Sequence, residues 1–176
     1  EQNFEVIGLD LSKEGVELSK LMLKKRNTNA SLICGDMCKL KDYLECQSID
    51  IIVDVFSSNC LEENSFDDYI AQACEVLKDD GKMFLYTPSK ESDAFKNYEP
   101  SRLIDSSTID GVRRIDSPFY GNFYPFRFES IPSLQKRFES IGMTIEYCEK
   151  ISRTYRNGKE YFEFLVVEAK KDKQKE

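Results

Sequence analysis

The chain has 176 residues, 40% of them apolar and 32% charged, and a formal net charge of −7. These values predict one globular domain over residues 1–176 rather than a disordered chain, and apolar runs of about five residues fall far short of the ~20 a membrane span needs. The negative balance argues against affinity built on neutralising phosphates, so nucleic acid is set aside as a general partner, though a specific RNA substrate is not excluded.

Elements follow in chain order. "FEVIGLD" (Phe4 to Asp10) is a short apolar run stopped by an acid, the signature of a buried parallel strand. Ser12 offers a helix cap, and Leu18, Leu21 and Met22 recur at helical spacing up to Arg26. "ASLICGD" (Ala30 to Asp36) and "SIDIIVDVF" (Ser48 to Phe56) read as two further strands, the latter rich in β-branched residues. A helix from about Ser65 to Lys78 shows one apolar face in Phe66, Ile70, Ala73 and Leu77; "DDG" (Asp79 to Gly81) stops it, and "KMFLYT" (Lys82 to Thr87) is a fourth strand. This alternation predicts an α/β fold with a mostly parallel sheet.

Residues 88–130 break the pattern and read as an ordered insertion on the substrate side, with an aromatic stretch from Pro118 to Phe128. Helical spacing resumes at Leu134, Phe138 and Ile141 and stops at Gly142. Two strands, Met143 to Tyr155 and Glu160 to Lys170, flank Asn157-Gly158 and predict an antiparallel hairpin at the end of the fold. Residues 171–176 read as a polar tail.

Two acids stand out. Asp10 ends the first strand, where a carboxylate can accept hydrogen bonds from the vicinal hydroxyls of a ribose or cap the following helix. Asp36 ends the next strand and is placed to accept from an adenine amino group, with Met37 as an apolar flank, or to serve as a turn aspartate.

Taken in series, "VIGLDLS", "ICGDM", "IDIIVDVFSS" and "VLKDDGKMFLYT" resemble the successive motifs of class I S-adenosylmethionine-dependent methyltransferases, over residues 4–87 and 130–170. The resemblance implies a Rossmann-like, three-layer α/β/α sheet with an antiparallel C-terminal hairpin, and S-adenosylmethionine as cofactor. It assigns Asp10 to the ribose, Leu11 to packing on the adenine, Asp36 and Met37 to the adenine ring, and Val55 and Ser57 to the methionine end. It also implies a first strand and a GxGxG loop, which this sequence lacks. The fold is therefore expected to be N-terminally incomplete, with a gap of about two strand spacings of ~4.8 Å each. An adjoining segment, a partner chain or a rearranged sheet would fill it.

The acceptor is less legible. "DVFSSN" lacks the Asn/Asp-Pro-Pro-Tyr arrangement of many nitrogen methylases, and with no histidine any general base is Asp, Glu, Lys or Tyr. The Phe119–Phe128 aromatics either wall a pocket or pack the insertion on the sheet. Arg113, Arg114 and Arg127 are candidates for an anionic substrate group or for solvated surface. The six cysteines lack a pairing rhythm and no CxxC occurs, so reduced thiols in the cytoplasm, without a metal site, are expected. The expected activity is methyl transfer to a small molecule or a modest macromolecular acceptor. The rivals are a non-catalytic methyltransferase-like scaffold and, more remotely, an NAD-type dehydrogenase.

Overall fold

The computed structural model describes residues 4–173. Residues 1–3 and the last three residues of the polar tail lie outside that range.

The β-structure is in two main pieces. Strand β1 (Ile7–Asp10) pairs in parallel with β2 (Ser31–Cys34), with Asp10 opposite Cys34. The connecting helix α1 (Lys13–Arg26) starts at Ser12, whose hydroxyl accepts the Gly15 N–H at 3.0 Å, and ends at Asn27 in the left-handed conformation. The larger sheet has the order β3-β4-β8-β7, formed by β3 (Ile49–Val55), β4 (Leu77–Pro88), β7 (Met143–Tyr155) and β8 (Glu160–Lys171). Strand β3 runs parallel to β4, β8 is antiparallel to β4, and β7 and β8 form the antiparallel hairpin that the Asn157-Gly158 turn predicted. Among the described residues β1 pairs only with β2, and β3 only with β4. The sheet is therefore interrupted beside β1, and each of these strands keeps one edge without a partner.

Helices α2 (Glu63–Val76) and α4 (Ile131–Ser140) cover one face of the larger sheet. Phe66, Ile70, Ala73, Leu134 and Phe138 pack there on Met83, Leu85, Leu165, Val167 and Ala169. The period of two that turns half-buried Ile52 and buried Asp54 to this side places Ile51, Val53 and Val55 on the other, where each is more than half exposed. On α1 the predicted apolar stripe of Leu18, Leu21 and Met22 is also exposed, and only Val16 is buried.

A short 3-10 helix, Met37–Asp42, joins the two pieces. Gln72 of α2 holds it from both ends of its amide: Nε2 donates to the Cys38 carbonyl at 2.5 Å, and Oε1 accepts the Lys41 N–H at 3.2 Å. The Cys38 thiol donates to the Ser65 carbonyl at 3.6 Å, and Leu40 is buried in the main core.

Two sequence expectations are corrected. Helix α2 ends at Val76 and β4 begins at once, so "DDG" lies inside the strand. Asp80, not Gly81, takes the left-handed backbone, while a Cβ on Gly81 would come within 2.7 Å of the Lys78 carbonyl oxygen. Lys171, placed in the tail, belongs to β8: it is buried and its ammonium donates to the Leu77 carbonyl at 2.7 Å. A carbonyl partner is what permits a lysine there.

The insertion contains α3 (Asp93–Lys96), β5 (Thr108–Ile109) and β6 (Phe126–Arg127), the last two forming a small antiparallel pair. Its aromatics build a second core with β8: Phe126, Phe128, Phe162 and Phe164 are buried together with Ala94, Ile109 and Val112.

Replacing Gln72 with Met removes both amide contacts at similar volume and leaves the Cys38 carbonyl and Lys41 N–H without partners. We expect a loss of about 1–3 kcal/mol, with faster limited proteolysis in α1. An unchanged denaturation midpoint and cleavage pattern would show that Gln72 does not hold the two pieces together.

Candidate functional site

The carboxyl ends of β1, β2 and β3 carry all six residues singled out in the sequence. Asp10 and Asp36 come together on one piece, since β1 and β2 are neighbours and Gly35 N–H donates to the Asp10 carbonyl at 3.0 Å. One Asp10 carboxylate oxygen accepts the Ser12 N–H at 2.7 Å; the other accepts no hydrogen bond among the described residues. The helix cap is thus Ser12, and Asp10 stands just outside it. A Cβ on Gly15 would lie 2.8 Å from that second oxygen, so glycine keeps the space beside the carboxylate open. Leu11 is almost fully exposed.

Asp36 accepts the Cys38 N–H at 2.9 Å and so caps the 3-10 helix, which supports the turn reading of this residue. Tyr43, not anticipated, packs its ring against Gly35, where a Cβ would fall 2.6 Å from it, and its hydroxyl accepts the Asp36 N–H at 3.4 Å. Nothing in the sequence distinguishes Tyr43 from any other aromatic. Met37 and Cys38 lie half-buried along the junction with α2.

Val55 ends β3 of the larger sheet, and Ser57 follows it in the next turn. Both are exposed, and between them Phe56 has a left-handed φ of 60°. Asp54, also not anticipated, is 3% exposed and accepts the Ser57 and Ser58 N–H groups at 3.1 and 3.3 Å through one oxygen. An acid inside "IIVDV" was the available signal. The Tyr69 phenol lies beside it, and burial, followed by the Asp54 charge, pushes that phenol well above its usual range.

The insertion resolves the two open alternatives. Phe119, Phe126 and Phe128 pack into the second core, whereas Tyr120, Phe123 and Tyr124 stay exposed. Arg127 is not free for a substrate: it is buried against Glu129, with its guanidinium 4.6 Å from the centre of the Phe66 ring. Arg114 pairs with buried Glu160 at 2.8 Å. Arg113 lies over Phe123 and within 3.6 Å of Asp110.

No helix among the described residues is long and apolar enough to cross a membrane. Residues 1–81 match the sequence profile of the methyltransferase-domain family. No curated protein matches the sequence. Solved structures do. An S-adenosylmethionine-dependent methyltransferase from Methanosarcina mazei superposes with a TM-score of 0.75 at 17% identity, over 98% of this chain and 84% of its own. A 1,6-didemethyltoxoflavin N1-methyltransferase from Burkholderia thailandensis, solved with 1,6-didemethyltoxoflavin and S-adenosylhomocysteine, gives 0.68 at 14% identity, over 98% of this chain and 63% of its own. A [4+2]-cyclase gives 0.68 at 13% identity, over 97% of this chain and 67% of its own. The chain is similar to all three in fold.

Burial, and secondarily Asp36, push the Cys38 thiol up to about 11, so only roughly a thousandth of it is thiolate at pH 8. Iodoacetamide at pH 8 is expected to modify exposed Cys46 at least about tenfold faster than Cys38, read by peptide mass spectrometry. Equal rates would mean that the junction between the 3-10 helix and α2 is open in solution.

Proposed function

From a class I methyltransferase fold whose first 81 residues carry the methyltransferase-domain pattern, we propose that this protein takes part in S-adenosylmethionine-dependent methyl transfer to a small-molecule acceptor. The observation that carries the reading is the placement of Asp10 and Asp36 at the carboxyl ends of neighbouring parallel strands, with Val55 and Ser57 at the carboxyl end of β3. Ligands of open α/β sheets bind in that position.

The free oxygen of Asp10 is the acceptor for a ribose hydroxyl, in the space that Gly15 leaves open. Exposed Leu11 is an apolar surface for one face of an adenine, and Asp36 with Met37 borders its edge. Val55 and Ser57 are at the methionine end. The cofactor supplies a methyl group on a sulfonium, and transfer is an in-line displacement. The protein's part is alignment and exclusion of water. Any proton the acceptor loses goes to Asp, Glu, Lys, Tyr or solvent, since the chain has no histidine. The six unpaired thiols fit a reducing compartment such as the cytoplasm.

The same reading calls for a parallel strand between β1 and β3, from a further segment of the polypeptide or from a partner chain. The two unpartnered edges support it, as do the exposed Ile51, Val53 and Val55 near one edge and Leu18, Leu21 and Met22 on α1. A scaffold that keeps the fold without transfer is the rival that the interrupted sheet favours.

In the full-length gene product, S-adenosylhomocysteine is expected to raise the melting temperature while NAD and NADP do not; a ligand at 100 times its dissociation constant adds ~2.7 kcal/mol. Asp10→Ala should weaken S-adenosylhomocysteine by roughly 10–150-fold, the equivalent of one hydrogen bond to a charged group at ~1.5–3 kcal/mol. Stabilisation by NAD alone would assign a dinucleotide protein, and no response to any of the three would favour the scaffold. Residues 1–176 alone should bind S-adenosylhomocysteine at least about tenfold more weakly than the full-length product, because ordering an incomplete cleft opposes binding. Equal affinity would mean that no further strand is needed.

A further inference from the structure

Phe56 is a point where the insertion touches the loop that carries Val55 and Ser57. Its N–H still donates to the Tyr86 carbonyl at 2.9 Å, as the last rung of the β3–β4 ladder. The backbone then turns to φ 60°, a conformation that a bulky non-glycine residue adopts only when its surroundings hold it there. Those surroundings are identifiable. The Phe56 ring stacks on Phe119 with centroids 4.9 Å apart and planes 26° from parallel, and lies 5.8 Å from both Phe126 and Phe164. Phe119 and Phe126 belong to the insertion and Phe164 to β8.

On the far side of the same turn, the Asp54 carboxylate holds the Ser57 and Ser58 N–H groups. The turn is thus gripped from the sheet by an acid and from the insertion by a ring. An aromatic residue serving only to fill the second core would need no left-handed backbone, since Phe126 and Phe164 fill it from extended strands.

We propose that Phe56 is a positioning residue: by stacking on Phe119 it lets the insertion set where Val55 and Ser57 stand at the methyl-donor end of the cleft. This rests on the methyltransferase reading above. Substrate-side and cofactor-side elements then share one mechanical joint. A displacement of Phe119, whose neighbour Tyr120 is exposed, is passed to the Ser57 turn through the Phe56 ring.

The test uses the full-length gene product, with hydrogen exchange of individual amides and calorimetry with S-adenosylhomocysteine. Phe119→Leu removes the stacking partner without touching the turn. It is expected to speed exchange at Ser57 and Ser58 at least about tenfold and to weaken S-adenosylhomocysteine by about tenfold, the equivalent of ~1.4 kcal/mol. Phe138→Leu makes the same truncation in the core under α4, and should lower the melting temperature while leaving both readouts within about twofold. Phe56→Gly frees the backbone but deletes the ring, and should weaken the ligand as Phe119→Leu does. If Phe119→Leu does not fold, Phe56→Leu carries the same two readouts. Unchanged exchange at Ser57 and Ser58, or equal weakening by Phe138→Leu, overturns the proposal. Failure of the wild-type protein to bind S-adenosylhomocysteine overturns the methyltransferase reading instead, and amide exchange alone then decides whether the joint exists.

Discussion

The clasp between Gln72 and the 3-10 helix holds the described structure together. Among the described residues the β1–α1–β2 piece has no ladder to the larger sheet, so its position relative to β3 rests on this clasp, on the Cys38 thiol bond to Ser65, on the Lys41–Glu75 ion pair and on the packing of Leu9, Leu40 and Leu44 against the main core. A side-chain amide suits the task because it satisfies a carbonyl and an N–H at once, at the end of a helix that would otherwise leave them to water. The proposed site depends on this junction, because Asp10 and Asp36 belong to one piece and Val55 and Ser57 to the other.

Much of the fold could be read from the sequence, for reasons that differ by element. Strands β1 to β3 were legible as short apolar runs ending at acids or β-branched residues, and the β7–β8 hairpin from Asn157-Gly158. The cap at Ser12 was legible because side-chain oxygens there have one dominant use. The boundary at "DDG" was misread because a glycine after a helical stripe usually ends the helix, whereas here the register of β4 against β3, with its irregularity between Ile49 and Ile51, drew those residues into the strand. Lys171 was misread for a similar reason: an ammonium is placed in solvent unless a specific carbonyl accepts it, and the Leu77 carbonyl is 94 residues away in sequence.

The candidate site divides along the same line. Asp10 and Asp36 could be singled out because acids at the ends of apolar runs stand out in a linear reading, and the structure has them at the ends of neighbouring strands. Tyr43 and Asp54 could not, because each acts by supporting a turn that only the folded chain defines. The insertion shows the limit most plainly. Its run of aromatics was equally consistent with a pocket wall and with a core, and the fold sorts the residues one by one, burying Phe126 and Phe128 and leaving Tyr120, Phe123 and Tyr124 outside. Arg127 was left between an anion site and solvated surface, and it is neither, because pairing with a residue two positions along is invisible in a linear reading.

The uncovered side of β3 also governs how the molecule behaves in bulk. Among the described residues Ile51, Val53 and Val55 form a row of apolar side chains next to a strand edge whose peptide groups lack ladder partners, and β1 presents a second such edge. Surfaces of this kind recruit strands from other molecules. Opposing that attraction is the chain's net charge of −7, a long-range repulsion between copies that holds only while it is unscreened. With a Debye length of ~8 Å at 0.15 M salt and about 3 Å at 1 M, colloidal behaviour is tuned by ionic strength. As pH falls toward the isoelectric point near 4.9, the repulsion vanishes and the bare edges are left to dominate.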